Sequence, residues 1–326
     1  MAEMGLKTYR FSIAWSRVIP DGNGPVNEKG LQFYDDLVNE LLKYGIEPMV
    51  TVYHWDMPQA LEDQYHGFED RRIIDDFVNY ATVLFKKLGD RVKYWIIMNE
   101  QNVFTTFGWM NGMHPPGKKN EEKLFYQVNH HANIAFAKSV LALKALYPDA
   151  KVGSSFAYTP GYAYDRHPEN AMALEDYNDL KNFYWMDIYA LGRYPRAAIK
   201  YLESKGVAPE FAPGDKQVLK EAAAKVDFMG VNYYQSCVVE HNPIDGVGMS
   251  MEMNTTGKKG TAKVSGVPGL YKNPQNEFLS TTDWDWTIDP MGIRICCREI
   301  TSRYDLPIVI SENGLGAFDK LEDGQI

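Results

Sequence analysis

Two glutamates occupy positions from which chemistry can be done. Glu100 follows the apolar run Ile96-Ile97-Met98-Asn99, and Glu312 follows Ile308-Val309-Ile310-Ser311. Each closes a predicted strand. Two carboxyl groups delivered to one rim are the minimal equipment for breaking a glycosidic bond. One protonates the leaving oxygen, while the other attacks the anomeric carbon or activates a water. A lone Glu at a strand end is more often a structural, salt-bridged residue, so the neighbours of the pair matter. The other strand ends read Trp15 and Arg17, His54-Trp55-Asp56, and Asn232-Tyr233-Tyr234. A buried polar group without a partner costs roughly 2–7 kcal/mol. A ring of such groups therefore reads as a wet, hydrogen-bonding pocket. Trp15, Trp55, Trp109, Trp284 and Trp286 fall in predicted loops or strand ends, where aromatic faces suit the apolar faces of sugar rings.

Positioning these groups requires a regular scaffold. Short, β-branched and aromatic runs predict strands over residues 8–13, 47–53, 92–98, 151–156, 226–231 and 306–311. Apolar residues at helical spacing predict helices over 28–44, 70–87 and 121–146, with others at 174–191, 196–205, 215–225 and 290–303. Strand–helix alternation implies a parallel sheet with right-handed crossovers. The strands are almost continuously apolar, as strands covered by helices on both faces should be. The expected fold is α/β, a TIM (β/α)8 barrel, whose active sites lie at the C-terminal strand ends. Residues 237–286, rich in Gly, Asn and Thr, read as an irregular active-site rim. No linker divides the chain, so residues 1–326 read as one catalytic domain.

Composition removes competing functions. Lys and Arg number 34 against 43 Asp and Glu, a net charge of −9 among 326 residues. That balance argues against a nucleic-acid surface, which needs clustered cations. No apolar run approaches the ~18 residues of a membrane-spanning helix, and residues 1–10 show no secretory pattern. The cysteines Cys237, Cys296 and Cys297 form no C-x-x-C pair and no disulfide framework, which fits a reducing cytoplasm. No metal is expected: there is no H-E-x-x-H, and the adjacent His130 and His131 cannot both face one ion. A doubly wound nucleotide fold would carry a glycine-rich turn after its first strand. Here Ala14-Trp15-Ser16-Arg17 stands in that place, and neither Gly246-Val247-Gly248 nor residues 256–261 have phosphate-loop spacing. No cofactor is expected, and the state of self-association stays open.

Taken together, Tyr9-Arg10-Phe11-Ser12-Ile13-Ala14-Trp15-Ser16-Arg17, His54-Trp55-Asp56-Met57-Pro58, Met98-Asn99-Glu100, Asn232-Tyr233-Tyr234 and Ile310-Ser311-Glu312-Asn313-Gly314 resemble glycoside hydrolase family 1. Each motif is weak alone, but the five occur in the family's order across the chain. The resemblance implies a retaining mechanism with Glu100 as acid/base and Glu312 as nucleophile. It implies that Arg17 lies beside Glu312 and that Tyr234 hydrogen-bonds it. His54, Trp55, Asn99 and Asn232 would contact the sugar, and Trp286 would be an aglycone-side platform.

Met98-Asn99-Glu100-Gln101-Asn102 departs from the family's commoner N-E-P. His241-Asn242-Pro243, residues 254–261 and residues 283–290 look like the subgroup of bacterial 6-phospho-β-glucosidases. The implied substrate is a 6-phosphorylated β-glucoside. An unphosphorylated β-glucoside or β-galactoside, or an inactive fragment, are the alternatives. Six strands are read where a barrel has eight. The first and eighth are expected to be missing, with the subgroup's phosphate-binding Ser, Lys and Tyr falling after Ile326. On that expectation this chain alone has little or no activity.

Overall fold

The computed structural model describes residues 1–248, Asn254 and residues 256–325. Thr255, within the motif at 254–261, lies outside them. The strands are β1 Thr8–Ser12, β2 Glu47–Tyr53, β3 Tyr94–Asn99, β4 Lys151–Ala157, β5 Gly161–Ala163, β6 Met229–Tyr233, β7 Cys237–His241, β8 Ser265–Val267, β9 Tyr271–Asn273 and β10 Ile308–Asn313. The helices are α1 Trp15–Val18, α2 Glu28–Lys43, α3 Gln59–Tyr65, α4 Ile73–Leu88, α5 Gln101–Trp109, α6 Glu122–Leu146, α7 Pro168–Tyr177, α8 Phe183–Leu191, α9 Arg196–Lys205, α10 Asp215–Ala223 and α11 Gly292–Arg303. Among the described residues no helix is long and apolar enough to cross a membrane.

The chain forms two compact units. One comprises Met1–Phe156, Trp185–Val231 and Leu306–Ser311. The other comprises Ala157–Tyr184, Asn232–Asp305 and Glu312–Ile326.

All six predicted strands join one six-stranded sheet in the order β1-β2-β3-β4-β6-β10, the sheet of a TIM-type barrel. The β1–β2, β2–β3 and β3–β4 pairings are parallel, with Thr8 opposite Glu47 and Tyr94 opposite Lys151. Boundaries shift where a helix takes the residues first. The Val92 amide donates to the Leu88 carbonyl at 2.9 Å, so β3 begins only at Tyr94. Two glycines let strands close up. A Cβ on Gly153 would stand 2.3 Å from the Phe228 carbonyl oxygen, and one on Gly230 2.8 Å from that of Ser154. The β3–β4 register slips between Ile96 and Asn99. Such a bulge re-aims the residues that follow it, here Asn99 and Glu100.

Three expectations are corrected. The helix at 174–191 is broken into α7 and α8 by a π-helical turn at Asn178–Asn182. Residues 237–286 are not simply irregular. They hold β7, β8 and β9, which form a four-stranded sheet with β5 in the order β5-β7-β9-β8. Strands of three to five residues are too short to show a period. Trp15 and Trp109 are core residues rather than open platforms. Trp15 is fully buried and stacks on Tyr80 at 5.0 Å, and Trp109 donates to Glu69 at 2.8 Å.

The two adjacent histidines of α6 are structural. His130 bonds Asp215 through Nε2 at 2.9 Å and the Tyr194 hydroxyl through Nδ1 at 3.0 Å. His131 Nδ1 donates to the Phe68 carbonyl at 2.9 Å. Burial lowers both imidazoles below their ordinary value of 6.5. The Asp215 carboxyl is also low: burial opposes its charge, but Arg71, His130 and the Ala212 amide outweigh it.

A histidine held neutral in the folded chain binds fewer protons than it does unfolded. Its stabilisation is therefore complete above about pH 6.5 and lost as pH falls toward the folded value. Urea unfolding midpoints should be level from pH 7 to 8 and fall steadily between pH 6.5 and 5. Replacing His130 by Gln should flatten that slope; an unchanged slope would remove His130 as its source.

Candidate active site

Within the first unit the site is built on β1, β2 and β3. Side chains alternate along a strand, so Arg10 and Ser12 of β1 share a face. Arg10 donates from Nη2 to Asn99 Oδ1 at 2.5 Å, from Nε to Thr51 Oγ1 at 3.0 Å and from Nη1 to the Ser311 carbonyl at 3.3 Å. A guanidinium only donates, so the oxygen of the Asn99 amide must face Arg10. The Asn99 nitrogen then faces His54 Nε2 at 3.1 Å, and that ring nitrogen must accept. A neutral His54 consequently carries its proton on Nδ1 and donates it to Ser12 Oγ at 3.1 Å. One arginine thus fixes an amide orientation, a tautomer and a hydroxyl.

The next residues complete this half. Trp55, at φ 77°, donates from its indole to the Asn99 carbonyl at 2.9 Å. It also lines a cavity with Phe68, Phe104, Trp109, His114 and Pro116. Glu100 is 7% exposed and sits at φ 44° between β3 and α5. Its amide donates to the Ser155 carbonyl at 2.8 Å. Its own carbonyl accepts from Val103 at 2.9 Å and Phe104 at 3.1 Å. A non-glycine residue in the left-handed region persists only where its surroundings over-determine it, and such residues concentrate at functional sites.

Within the second unit, Glu312 Oε2 accepts from the Tyr234 hydroxyl at 2.7 Å. The Tyr234 ring lies 5.7 Å from that of Trp286. Asn313 Nδ2 donates to the Tyr233 carbonyl at 2.7 Å, tying the two strand ends together. Asn232 is 1% exposed. Trp286 is held by a clasp centred on Asp285, whose φ is 63°. The Asp285 carboxylate accepts from the amides of Gly260 at 2.7 Å, Ala262 at 2.9 Å and Thr261 at 3.1 Å, and from Asn254 Nδ2 at 3.0 Å. Burial disfavours the charge, but these donors outweigh it and hold the carboxyl below the ordinary aspartate value.

The structure therefore gathers His54, Trp55 and Asn99 beside Glu100, and gathers Tyr234 and Trp286 beside Glu312. Arg17 is a correction. It is exposed on α1, and its guanidinium lies over the rings of Phe33 at 4.9 Å and Tyr34 at 5.7 Å. Arg10 is the site arginine that the sequence reading missed. The available signal was a charge inside a strand, two positions before Ser12 and on its face.

Glycosyl hydrolase family 1 matches the whole sequence, residues 1–326. Aryl-phospho-β-D-glucosidase BglC of Bacillus subtilis (strain 168) is 52% identical over 326 residues, covering 100% of this chain and 68% of that protein. The 6-phospho-β-glucosidase AscB of Escherichia coli (strain K12) is 35% identical over 98% of this chain and 64% of its own length. Among solved structures, the family 1 β-glucosidase from Thermotoga maritima superposes with a TM-score of 0.85 at 30% identity. That match covers 99% of this chain and 67% of the other. The chain spans about two thirds of the length of these relatives.

The tautomer of His54 is directly observable. Nitrogen-15 spectra at neutral pH should show a protonated Nδ1 and an unprotonated Nε2. In Asn99→Asp a carboxylate replaces the amide donor, and the proton should move to Nε2. A protonated Nε2 in the unmodified protein would overturn the relay.

Proposed function

The chain belongs to glycosyl hydrolase family 1, and on that premise we propose that it hydrolyses β-glucosidic bonds of 6-phosphorylated glucosides, aryl glucosides among them, with retention of configuration. The observation that carries the reading is the 52% identity, along the full 326 residues, to an aryl-phospho-β-D-glucosidase. Glu312 is the nucleophile and Glu100 the acid/base. In the first step a Glu312 carboxylate oxygen bonds to the anomeric carbon as the glycosidic C–O bond breaks, and the Glu100 proton passes to the departing oxygen. In the second, water gives a proton to the Glu100 carboxylate and its oxygen displaces Glu312 from the sugar.

The local geometry supports these roles. The Tyr234 hydrogen bond to Oε2 of Glu312 holds the orientation of that carboxylate. Burial of Glu100 favours a form that carries a proton. Asn99, His54, Trp55 and Asn232 contact sugar hydroxyls and ring, and Trp286 stacks on the aglycone. Arg10 orients Asn99 and bonds the Ser311 carbonyl. Three free thiols suit a cytoplasmic setting.

A second reading, hydrolysis of the unphosphorylated glucoside, draws on the likeness to the Thermotoga β-glucosidase. Comparing 4-nitrophenyl 6-phospho-β-D-glucoside with 4-nitrophenyl β-D-glucoside separates the two. Preference for the phosphorylated substrate is expected, and equal or better turnover of the plain glucoside would refute the phospho reading. Glu312→Gln should abolish glycosylation. Glu100→Gln should slow substrates with poor leaving groups by about 10²–10⁴-fold. Retained activity in Glu312→Gln would overturn the nucleophile assignment.

A further inference from the structure

We propose that Gln101 is a positioning residue that holds the Glu100 carboxyl in its proton-donating geometry, through a buried amide network on α6 and α8; this rests on the acid/base reading of Glu100 above. Gln101 is the first residue of α5 and is fully buried. Its Nε2 reaches the Asn129 carbonyl at 3.0 Å, Asn129 Oδ1 at 3.1 Å and Asn133 Oδ1 at 2.9 Å. Its Oε1 accepts from the Tyr189 hydroxyl at 2.9 Å. Asn129 Oδ1 also accepts from Trp185 Nε1 at 2.6 Å and Thr105 Oγ1 at 3.1 Å. Asn133 Nδ2 donates to the Tyr194 hydroxyl at 2.9 Å, which leads on to His130 and Asp215.

This network acts on the residue before it. Glu100 occupies a left-handed backbone conformation that its own side chain does not favour. One end of the knee is held by β3 and the Ser155 carbonyl. The other end is the first turn of α5, a nine-residue helix too short to persist without tertiary support. Gln101 supplies that support from two other helices. The helix end cannot shift without leaving a buried amide unsatisfied, a strongly disfavoured outcome. The departure from N-E-P at this position thus has a structural counterpart: the side chain replaces a ring constraint by hydrogen bonds.

The test compares leaving groups. 2,4-Dinitrophenolate departs without a proton, whereas phenolate needs one, so a misplaced acid lowers kcat/KM, which reports the first step, only for the second. Gln101→Met in the full polypeptide should lower kcat/KM for phenyl 6-phospho-β-D-glucoside about tenfold or more, while that for the dinitrophenyl substrate stays within about twofold. Tyr189→Phe, which removes the hydroxyl that bonds Gln101 and keeps the ring packing, should give the same pattern at a smaller ratio. It carries the test if Gln101→Met does not fold. In both variants the Val103 and Phe104 amides, which bond the Glu100 carbonyl, should exchange faster while the amides of α6 stay protected. Equal loss of kcat/KM on both substrates, or no change in either kcat/KM or exchange, would overturn the proposal. Glu100→Gln run in parallel tells the two failures apart. If it lacks the leaving-group dependence, the acid/base reading falls and the proposal with it. If it shows the dependence and the Gln101 variants do not, only the positioning role falls.

Discussion

The Arg10–Asn99 hydrogen bond is the constraint on which the first unit's chemistry depends. An asparagine amide can bind in either of two orientations, and only a donor-only partner removes the ambiguity. Arg10 does so and passes the decision to His54 and Ser12. The cost is a guanidinium half-buried inside a sheet. That cost is offset because Arg10 spreads its donors over a side-chain amide, a threonine hydroxyl and a backbone carbonyl. Charge-assisted hydrogen bonds of this kind are roughly twice as strong as neutral ones. Truncating Arg10 would leave three acceptors short of a donor, so the arginine and its partners form one unit rather than a sum of pairs.

The same logic recurs one residue later. Glu100 is held through its amide by Ser155 of β4, and α5 is held by amides of α6 and a tyrosine hydroxyl of α8. Polar networks inside a protein add specificity only when every member is satisfied. Between Gln101 and Asp215 the hydrogen bonds run without interruption through Asn133, Tyr194 and His130. Such a chain adds less stability than an apolar core of equal volume would. Its contribution is to restrict the arrangement at the helix end that follows Glu100.

The sheet strands were legible in the sequence because cover by helices writes itself as unbroken apolar runs. The helices α2, α4, α6 and α9 were legible because apolar residues recur there at helical spacing. The short helices α1, α3 and α5 did not show, since four to nine residues span too few turns for a period to emerge. They are fixed by tertiary bonds such as those of Gln101. The second-unit sheet escaped for a related reason: its β8–β9 hairpin depends on Gly266, whose Cβ would stand 2.7 Å from the Tyr271 carbonyl oxygen. A lone glycine in a glycine-rich stretch carries no distinguishing mark. Of the site, the carboxylates and their strand-end neighbours were visible from residue type and order. Which arginine orients Asn99 was not, because Arg10 and Arg17 both lie in one motif and only the fold separates them, with Arg10 on β1 and Arg17 on α1.

That distinction bears on how the two carboxylates divide their work. Glu100 sits in a left-handed knee, buried, with its backbone amide and carbonyl both engaged. Glu312 lies at the end of an extended strand with a phenol on one oxygen. A group that must give up and recover a proton within one cycle benefits from a fixed position and a low-dielectric setting, since its proton affinity is set by the surroundings. A group that must form and release a carbon–oxygen bond needs a fixed orientation, which the Tyr234 hydroxyl gives Glu312. The two backbone settings suit the two roles proposed for these glutamates. The sequence pattern could not express this, because both residues are written with the same letter after the same kind of strand.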